Sequence, residues 1–195
     1  MDDVRFISNP SSGKTGYHLA VEAQNRGAKV IFITGESGLA PETAEVIRVR
    51  SADDMLKAAL KNSERADIVI GAAAVGDFTV IRTKGKIKRG KAGLVLRLLP
   101  TTDILAEISE KKGGRIMVGF SAESGFDKKR AIAKLKKKKL DLVVLNDISR
   151  PGLGFASDEN EIAVFDRRGR KVLEKRGSKQ ELACAIIDKI EGLIR

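Results

Sequence analysis

Four short apolar runs limit how this chain can fold: KVIFIT at 29–34, DIVIGAAA at 67–74, RIMVGFSA at 115–122 and DLVVLND at 141–147. A strand covered on both faces reads as a nearly unbroken apolar run, whereas a half-exposed strand alternates. Runs of the first kind belong to parallel sheets, and parallel neighbours need a crossover between them, usually a helix. The intervening segments supply those helices. Leu19, Ala20 and Ala23 recur at helical spacing within 13–26, which Gly27 ends, with Ser11 or Ser12 as the expected cap. Ser51 precedes a second helix, and Asp54 stands where a capping box needs an acceptor. Residues 103–111 and 127–139 read as two more helices, and 178–194 as a closing amphipathic one. The alternation predicts one α/β domain over 1–195, built on a doubly wound, mostly parallel sheet in which 67–74 is a central strand.

Three segments depart from the alternation. EVIRVR at 45–50 alternates, as a strand near an edge does. Residues 161–174 read as a hairpin turned at 168–169. Residues 83–99, TKGKIKRGKAGLVLRLL, place glycines at 85, 90 and 93 between two strand-like pieces and predict a β-hairpin arm projecting from the sheet. The whole is Rossmann-like, and in such folds ligands bind beyond the carboxyl ends of the strands. Asp77, Glu123, Asn146 and Asp147 all fall at predicted strand ends.

Composition narrows the chemistry. Lys and Arg number 37 against 26 Asp and Glu, a formal net charge of +11. That excess suits a polyanionic small substrate or a nucleic acid. With no Trp, one Tyr and 4% aromatic residues, a base-stacking platform is poorly supplied. One Cys and one His cannot build a Cys/His metal site. Cys184 reads as a buried helix residue in a reducing compartment, and His18 as a helix-surface or second-layer residue. No apolar run approaches the roughly 18 residues of a transmembrane helix. The start MDDVRF does not resemble a signal peptide. These features predict a cytoplasmic protein without a membrane partner.

The segment SNPSSGKTG at 8–16 is one glycine short of a Walker loop, since Ser8 stands where G-x-x-x-x-G-K-[ST] begins. It still reads as an anion loop. A helix start presents backbone N–H groups and the positive dipole end. Ser11, Ser12 and Thr15 add hydroxyls, Gly13 and Gly16 admit a close ligand, and Asn9 offers an amide. A plain helix cap is the competing explanation. Lys84, Lys86 and Lys88 in the arm, and Lys134 and Lys138 at i,i+4, read locally as solvated faces. The polar loop GFASDENEI at 154–162 could hold a substrate or only form turns.

Taken in order, VRFISNPSSGKTG, ADIVIGAAAVGDF, KIKR, VGFSAE, AIAKLKKKKLDLVVLNDIS and GFASDENEI resemble phosphopantothenoylcysteine synthetase over nearly the whole chain. The resemblance implies a homodimeric ligase of coenzyme A synthesis. In it the 4'-phosphopantothenate carboxylate attacks the α-phosphate of CTP, and cysteine then displaces CMP from the acyl-cytidylate. It implies that Asn9 holds the acyl-cytidylate for reaction with cysteine, and that Ser11, Ser12 and Gly13 hold phosphate oxygens. Ala73, Ala74, Gly76, Asp77 and Phe78 would line the nucleotide site, with Asp77 near a Mg2+ ion on the triphosphate. Lys86 would neutralise phosphate charge, and Lys134 and Lys138 would sit by the base and ribose. Phe120 and Asn146 would form pocket walls. The arm at 83–99 would reach across the dimer, and no nucleic-acid partner is implied.

Two family features are missing from this sequence. A first strand with its glycine-rich turn precedes VRFISN in the family, so exposed strand edges are expected here. The flavin domain is absent too, so decarboxylation is not expected. The family's NPDI-like stretch reads PTTDI at 100–104, which leaves Asp103 unassigned. The competing readings are a Rossmann-type nucleotide-binding oxidoreductase, a basic nucleic-acid-binding protein, and a truncated synthetase relative without turnover. The first lacks G-x-G-x-x-G, and only Glu36 follows 29–34 as a ribose ligand would.

Overall fold

The computed structural model describes residues 1–35, 39–90, 93–123, 125, 127–147 and 158–194. Glu36, Lys91 and residues 154–157 of the polar loop lie outside them. The chain runs α1 (Lys14–Asn25), β1 (Ile31–Thr34), β2 (Glu45–Arg48), α2 (Ala52–Ser63), β3 (Ile68–Gly71), β4 (Phe78–Val80) and β5 (Leu98–Pro100). It continues through α3 (Ile104–Glu110), β6 (Ile116–Glu123), α4 (Lys128–Lys137), β7 (Leu142–Asp147), β8 (Glu159–Asp166), β9 (Lys171–Ser178) and α5 (Lys179–Ile194).

The largest sheet has the order β3-β6-β7-β8-β9. β3, β6 and β7 run parallel, and β8 and β9 complete the sheet antiparallel. The two parallel pairs share their carboxyl edge: Gly71 stands opposite Gly119, and Glu123 opposite Asp147. Alternate strand residues feed two apolar layers. Val118, Leu142 and Val144 pack with Leu19 of α1 and Leu182, Ile186 and Ile190 of α5. Met117, Val143 and Leu145 pack on the other face with Ile108 of α3 and Ala131 and Leu135 of α4. At about 1.5–3 kcal/mol for each fully buried aliphatic side chain, these layers dominate the stability.

The expected single sheet is divided. β1 and β2 form a separate parallel pair, and β3 pairs on one side only, with β6. The run at 67–74, expected as a central strand, is therefore an edge strand of four residues, each only partly buried. Helices bridge the two pieces: α1 reaches β1 at Gly16, where an added Cβ would lie 3.7 Å from the Phe32 ring, while Leu19 of the same helix joins the main core.

The arm also differs from its expected form. The paired strands are Phe78–Val80 and Leu98–Pro100, so the excursion starts before residue 83, and its described residues between 81 and 97 form no ladder of their own. Gly85 at φ 78° interrupts extended backbone, and Lys84, Lys86 and Lys88 repel one another. Other expectations hold. Ser51 and Asp54 make a complete capping box, β2 is an edge strand, and β8 and β9 form a hairpin around Gly169 at φ 76°.

Candidate active site

The loop before α1 is built on Gly13, which takes the N-cap position at φ 72°, a conformation that costs a glycine little. Gly13 has no side chain with which to cap the helix, and neither Ser11 nor Ser12 stands at the N-cap position that the sequence suggested. The Ser12 hydroxyl accepts from Lys14 N at 3.5 Å, and Ser11 N donates back to Asn9 O at 2.8 Å. A helix N-terminus presents backbone N–H groups and the positive end of the dipole. Asn9 crosses to the sheet, its Nδ2 donating to Ala74 O at 3.2 Å. That bond ties the loop before α1 to the segment following β3.

The same segment is braced from the other side. Thr101 Oγ1 donates to Gly76 O at 2.6 Å, and Thr101 N donates to Asp77 O at 2.9 Å. Ala73 and Asp77 are exposed beside partly buried Ala74 and Gly76, and Phe78 keeps 60% of its surface in solvent. Lys134 of α4 donates its ammonium to Phe120 O in β6. Burial pushes the Lys134 pKa down, and neighbouring Lys138 adds to the shift, with Asp103, Glu123 and Asp77 opposing it. An ammonium in this setting gains when an anion arrives. Lys138 pairs with Asp103 at 2.8 Å. Asp103 also caps α3 by accepting from Ala106 N at 3.2 Å. Burial works to raise the Asp103 pKa, but the bond from Lys138 and the cap outweigh it, and the pKa is lowered. Asn146 lies at the carboxyl end of β7, across from Ala122.

The structure thus links the loop carrying Asn9, Ser11, Ser12 and Gly13 to the segment carrying Ala73, Ala74, Gly76 and Asp77 through the Asn9–Ala74 bond, and Lys134, bonded to Phe120 O, has Lys138 and Asp77 as electrostatic neighbours. Lys86 is not among them: it is exposed on the arm, whose backbone there is held by residues 1–5. Sequence reasoning missed the bracing role of Thr101 and left Asp103 open. The helix-cap position of Asp103 was the available signal. Among the described residues no three His, Cys, Asp or Glu side chains converge as a metal site. No described helix is long and apolar enough to cross a membrane. Away from the site, Cys184 Sγ donates to Glu22 at 3.1 Å, and that contact and burial raise its pKa.

The family model for the DNA/pantothenate metabolism flavoprotein C-terminal domain matches residues 1–193. The chain belongs to this family. Among curated relatives, a coenzyme A biosynthesis bifunctional protein CoaBC of Bacillus subtilis is 42% identical over 99% of this chain and 48% of its own length. A protein named cysteine/cysteine sulfinic acid decarboxylase, from an unknown prokaryotic organism, is also 42% identical, over 100% of this chain and 55% of its own. The chain spans about half the length of these relatives. Among solved structures, the C-terminal domain of a CoaBC protein superposes with TM-score 0.80 at 33% identity, covering 99% of this chain and 90% of that one. A Cab2 mutant in complex with phosphopantothenate-cysteine shares the fold with TM-score 0.76 at 15% identity, covering 98% and 82%. These structures share the α/β fold with the mixed sheet and flanking helices described above.

Proposed function

We propose that this chain is a phosphopantothenate–cysteine ligase acting in coenzyme A biosynthesis through an acyl-cytidylate formed from CTP. The observation that supports the reading is the Asn9–Ala74 bond, which joins the loop before α1 to the segment after β3. The names of the CoaBC relatives, and the ligand held by the structurally similar Cab2 mutant, support the choice of substrates.

The substrate carboxylate has no leaving group that an amine can displace. Its oxygen attacks the α-phosphorus of CTP, the bond to the β-phosphate oxygen breaks, and pyrophosphate leaves. The cysteine nitrogen then attacks the acyl carbon, the carbon–oxygen bond to CMP breaks, and the amine gives up a proton. In this scheme the open start of α1 with Ser11, Ser12 and Gly13 receives phosphate oxygens. Lys134 and Lys138 face the nucleoside end, with Phe120 and Asn146 as walls. Asn9 orients the acyl group without taking a proton, and Lys86 offsets phosphate charge. Asp77 is an exposed carboxylate outside any three-ligand cluster among the described residues, which suits Mg2+ carried in on phosphate oxygens rather than held by a protein cage. Bound there, the ion would neutralise triphosphate charge. A homodimer through the arm fits its exposed apolar residues, Phe78, Ile81, Leu94, Val95 and Leu98.

Isothermal titration with CTP, ATP and GTP in magnesium tests the nucleotide, with CTP expected to bind tightest. Equal affinity for CTP and ATP would remove the cytidylate from the scheme. Mass spectrometry of a mixture of protein, 4'-phosphopantothenate, CTP and no cysteine then looks for the acyl-cytidylate.

A further inference from the structure

A dense polar network outside the site joins the first five residues to the arm. Asp2 is only 6% exposed, in a segment that is otherwise mostly open. Its Oδ1 accepts from Val4 N at 2.9 Å and Arg5 N at 2.7 Å. Its Oδ2 accepts from Ile87 N at 3.0 Å and from Arg5 Nη2 at 2.6 Å. The Arg5 Nη2 also donates to Ile87 O at 2.6 Å, so the Asp2–Arg5 pair grips both the N–H and the C=O of Ile87. Asp3 does the same for Gly85. Its Oδ2 accepts from Gly85 N at 2.8 Å, its own N donates to Gly85 O at 3.3 Å, and its Oδ1 accepts from Arg82 Nη2 at 2.8 Å. Thr83 N donates to Met1 O at 3.0 Å.

The residue between the two gripped positions is Lys86, and its own side chain stays exposed. We propose that Asp2 is a positioning residue for Lys86. Through Ile87 and Arg5 it holds the backbone of the arm so that the Lys86 ammonium is offered at one place. The inference rests on the reading of Lys86 as a cation that faces phosphate. Arg82, Lys84, Lys86, Lys88 and Arg89 crowd a short stretch that forms no strand ladder of its own, and mutual repulsion alone would leave it without a defined path. Two carboxylates beneath it supply both the counter-charge and the hydrogen bonds that such a path needs. The Asp2 pKa is held well below the usual carboxylate range, first by the Val4 N–H and then by the Ile87 N–H and Arg5 against the effect of burial, so the clasp is charged throughout the neutral range. An electrostatic donor acts on a transition state only to the extent that its position is set beforehand.

A double-mutant cycle with Asp2→Asn and Lys86→Gln tests this, read by affinity for CTP with magnesium, by kcat and KM in the ligation, and by tryptic cleavage after Lys84, Lys86 and Lys88. Asp2→Asn should speed cleavage within the arm and lower kcat roughly tenfold. Lys86→Gln should lower kcat further, and the double variant should be no worse than Lys86→Gln alone. Asp2→Glu, which keeps the charge, should recover part of the loss. Independent, multiplying effects of the two variants overturn the proposal, as does Asp2→Asn with parental kcat beside an impaired Lys86→Gln. Parental turnover and affinity in Lys86→Gln instead remove the role of Lys86 and the positioning of it together. A parent chain that binds no CTP overturns the nucleotide site on which both depend.

Discussion

Lys138 and Asp103 meet at 2.8 Å, joining the end of α4 to the cap of α3 beside the half-buried Lys134. The pair makes stability depend on acid in a defined direction. The Asp103 pKa is lowered in the folded chain from 3.8, so its contribution is present above that value and lost as pH falls through the lower one. Asp103→Asn keeps a competent helix cap and removes the charge. With Asp103 41% exposed, the expected loss at pH 7 is about 0.5–1 kcal/mol, reduced by solvent screening. Urea unfolding at pH 7 and near pH 3 checks it. The difference between parent and variant should shrink in acid.

In the proposed scheme the Asn9 amide serves the second half-reaction rather than the first. Asn9→Asp replaces a donor by an acceptor 3.2 Å from Ala74 O and sets a negative charge beside a phosphate-bearing intermediate. The acyl-cytidylate should still form, and its consumption by cysteine should slow, because the acyl group loses its orientation. The variant should accumulate the intermediate in the presence of cysteine where the parent does not. Normal consumption would take Asn9 out of the second step.

Close packing under the site gives a test that needs no ligand. A Cβ added at Gly71, the last residue of β3, would lie 2.5 to 2.9 Å from Leu105 Cδ1, Cγ and Cδ2. Leu105 belongs to α3, whose cap is Asp103. Gly71→Ala should cost about 1–3 kcal/mol as an overpacked contact. Adding Leu105→Ala should return part of it. Equal stability of parent and Gly71→Ala in thermal unfolding would show that α3 yields freely.

Much of this architecture was legible because apolar runs and caps are local signals. The strands at 115–122 and 141–147 and the Ser51–Asp54 box needed nothing beyond their own neighbourhoods. The edge position of β3 was not, because DIVIGAAA has the composition of a central strand whichever neighbours it finds. The cap of α1 was misread because Ser11 and Ser12 outrank glycine in general preference, while the left-handed turn here favours Gly13. The motif residues from Asn9 to Gly13 and from Ala73 to Asp77 were legible as two separate stretches. What joins them is a side-chain bond to a backbone carbonyl 65 residues away, which leaves no pattern in the sequence. Asp2 was invisible for the same reason, its partner Ile87 being 85 residues distant.

The arm supplies the last prediction. Val95 is 94% exposed, and Ile81 75%, on a strand-flanked excursion that also carries Leu94 and Leu98. Apolar side chains so close together at the surface mark an interaction site, and a second copy would cover them with the same residues by two-fold symmetry. Val95→Asp places a charge at the centre of that contact and touches none of the buried core. Its cost should therefore appear in association: the dimer dissociation constant should rise at least tenfold, which corresponds to about 1.4 kcal/mol. Unfolding of the isolated protomer should change by about 0.5 kcal/mol or less, as for an exposed substitution. Sedimentation equilibrium over a dilution series reads the first quantity, and urea unfolding at the lowest concentration reads the second. A parent chain that sediments as a monomer at every concentration would leave these apolar residues without a second copy to cover them and remove the dimer from the proposed function.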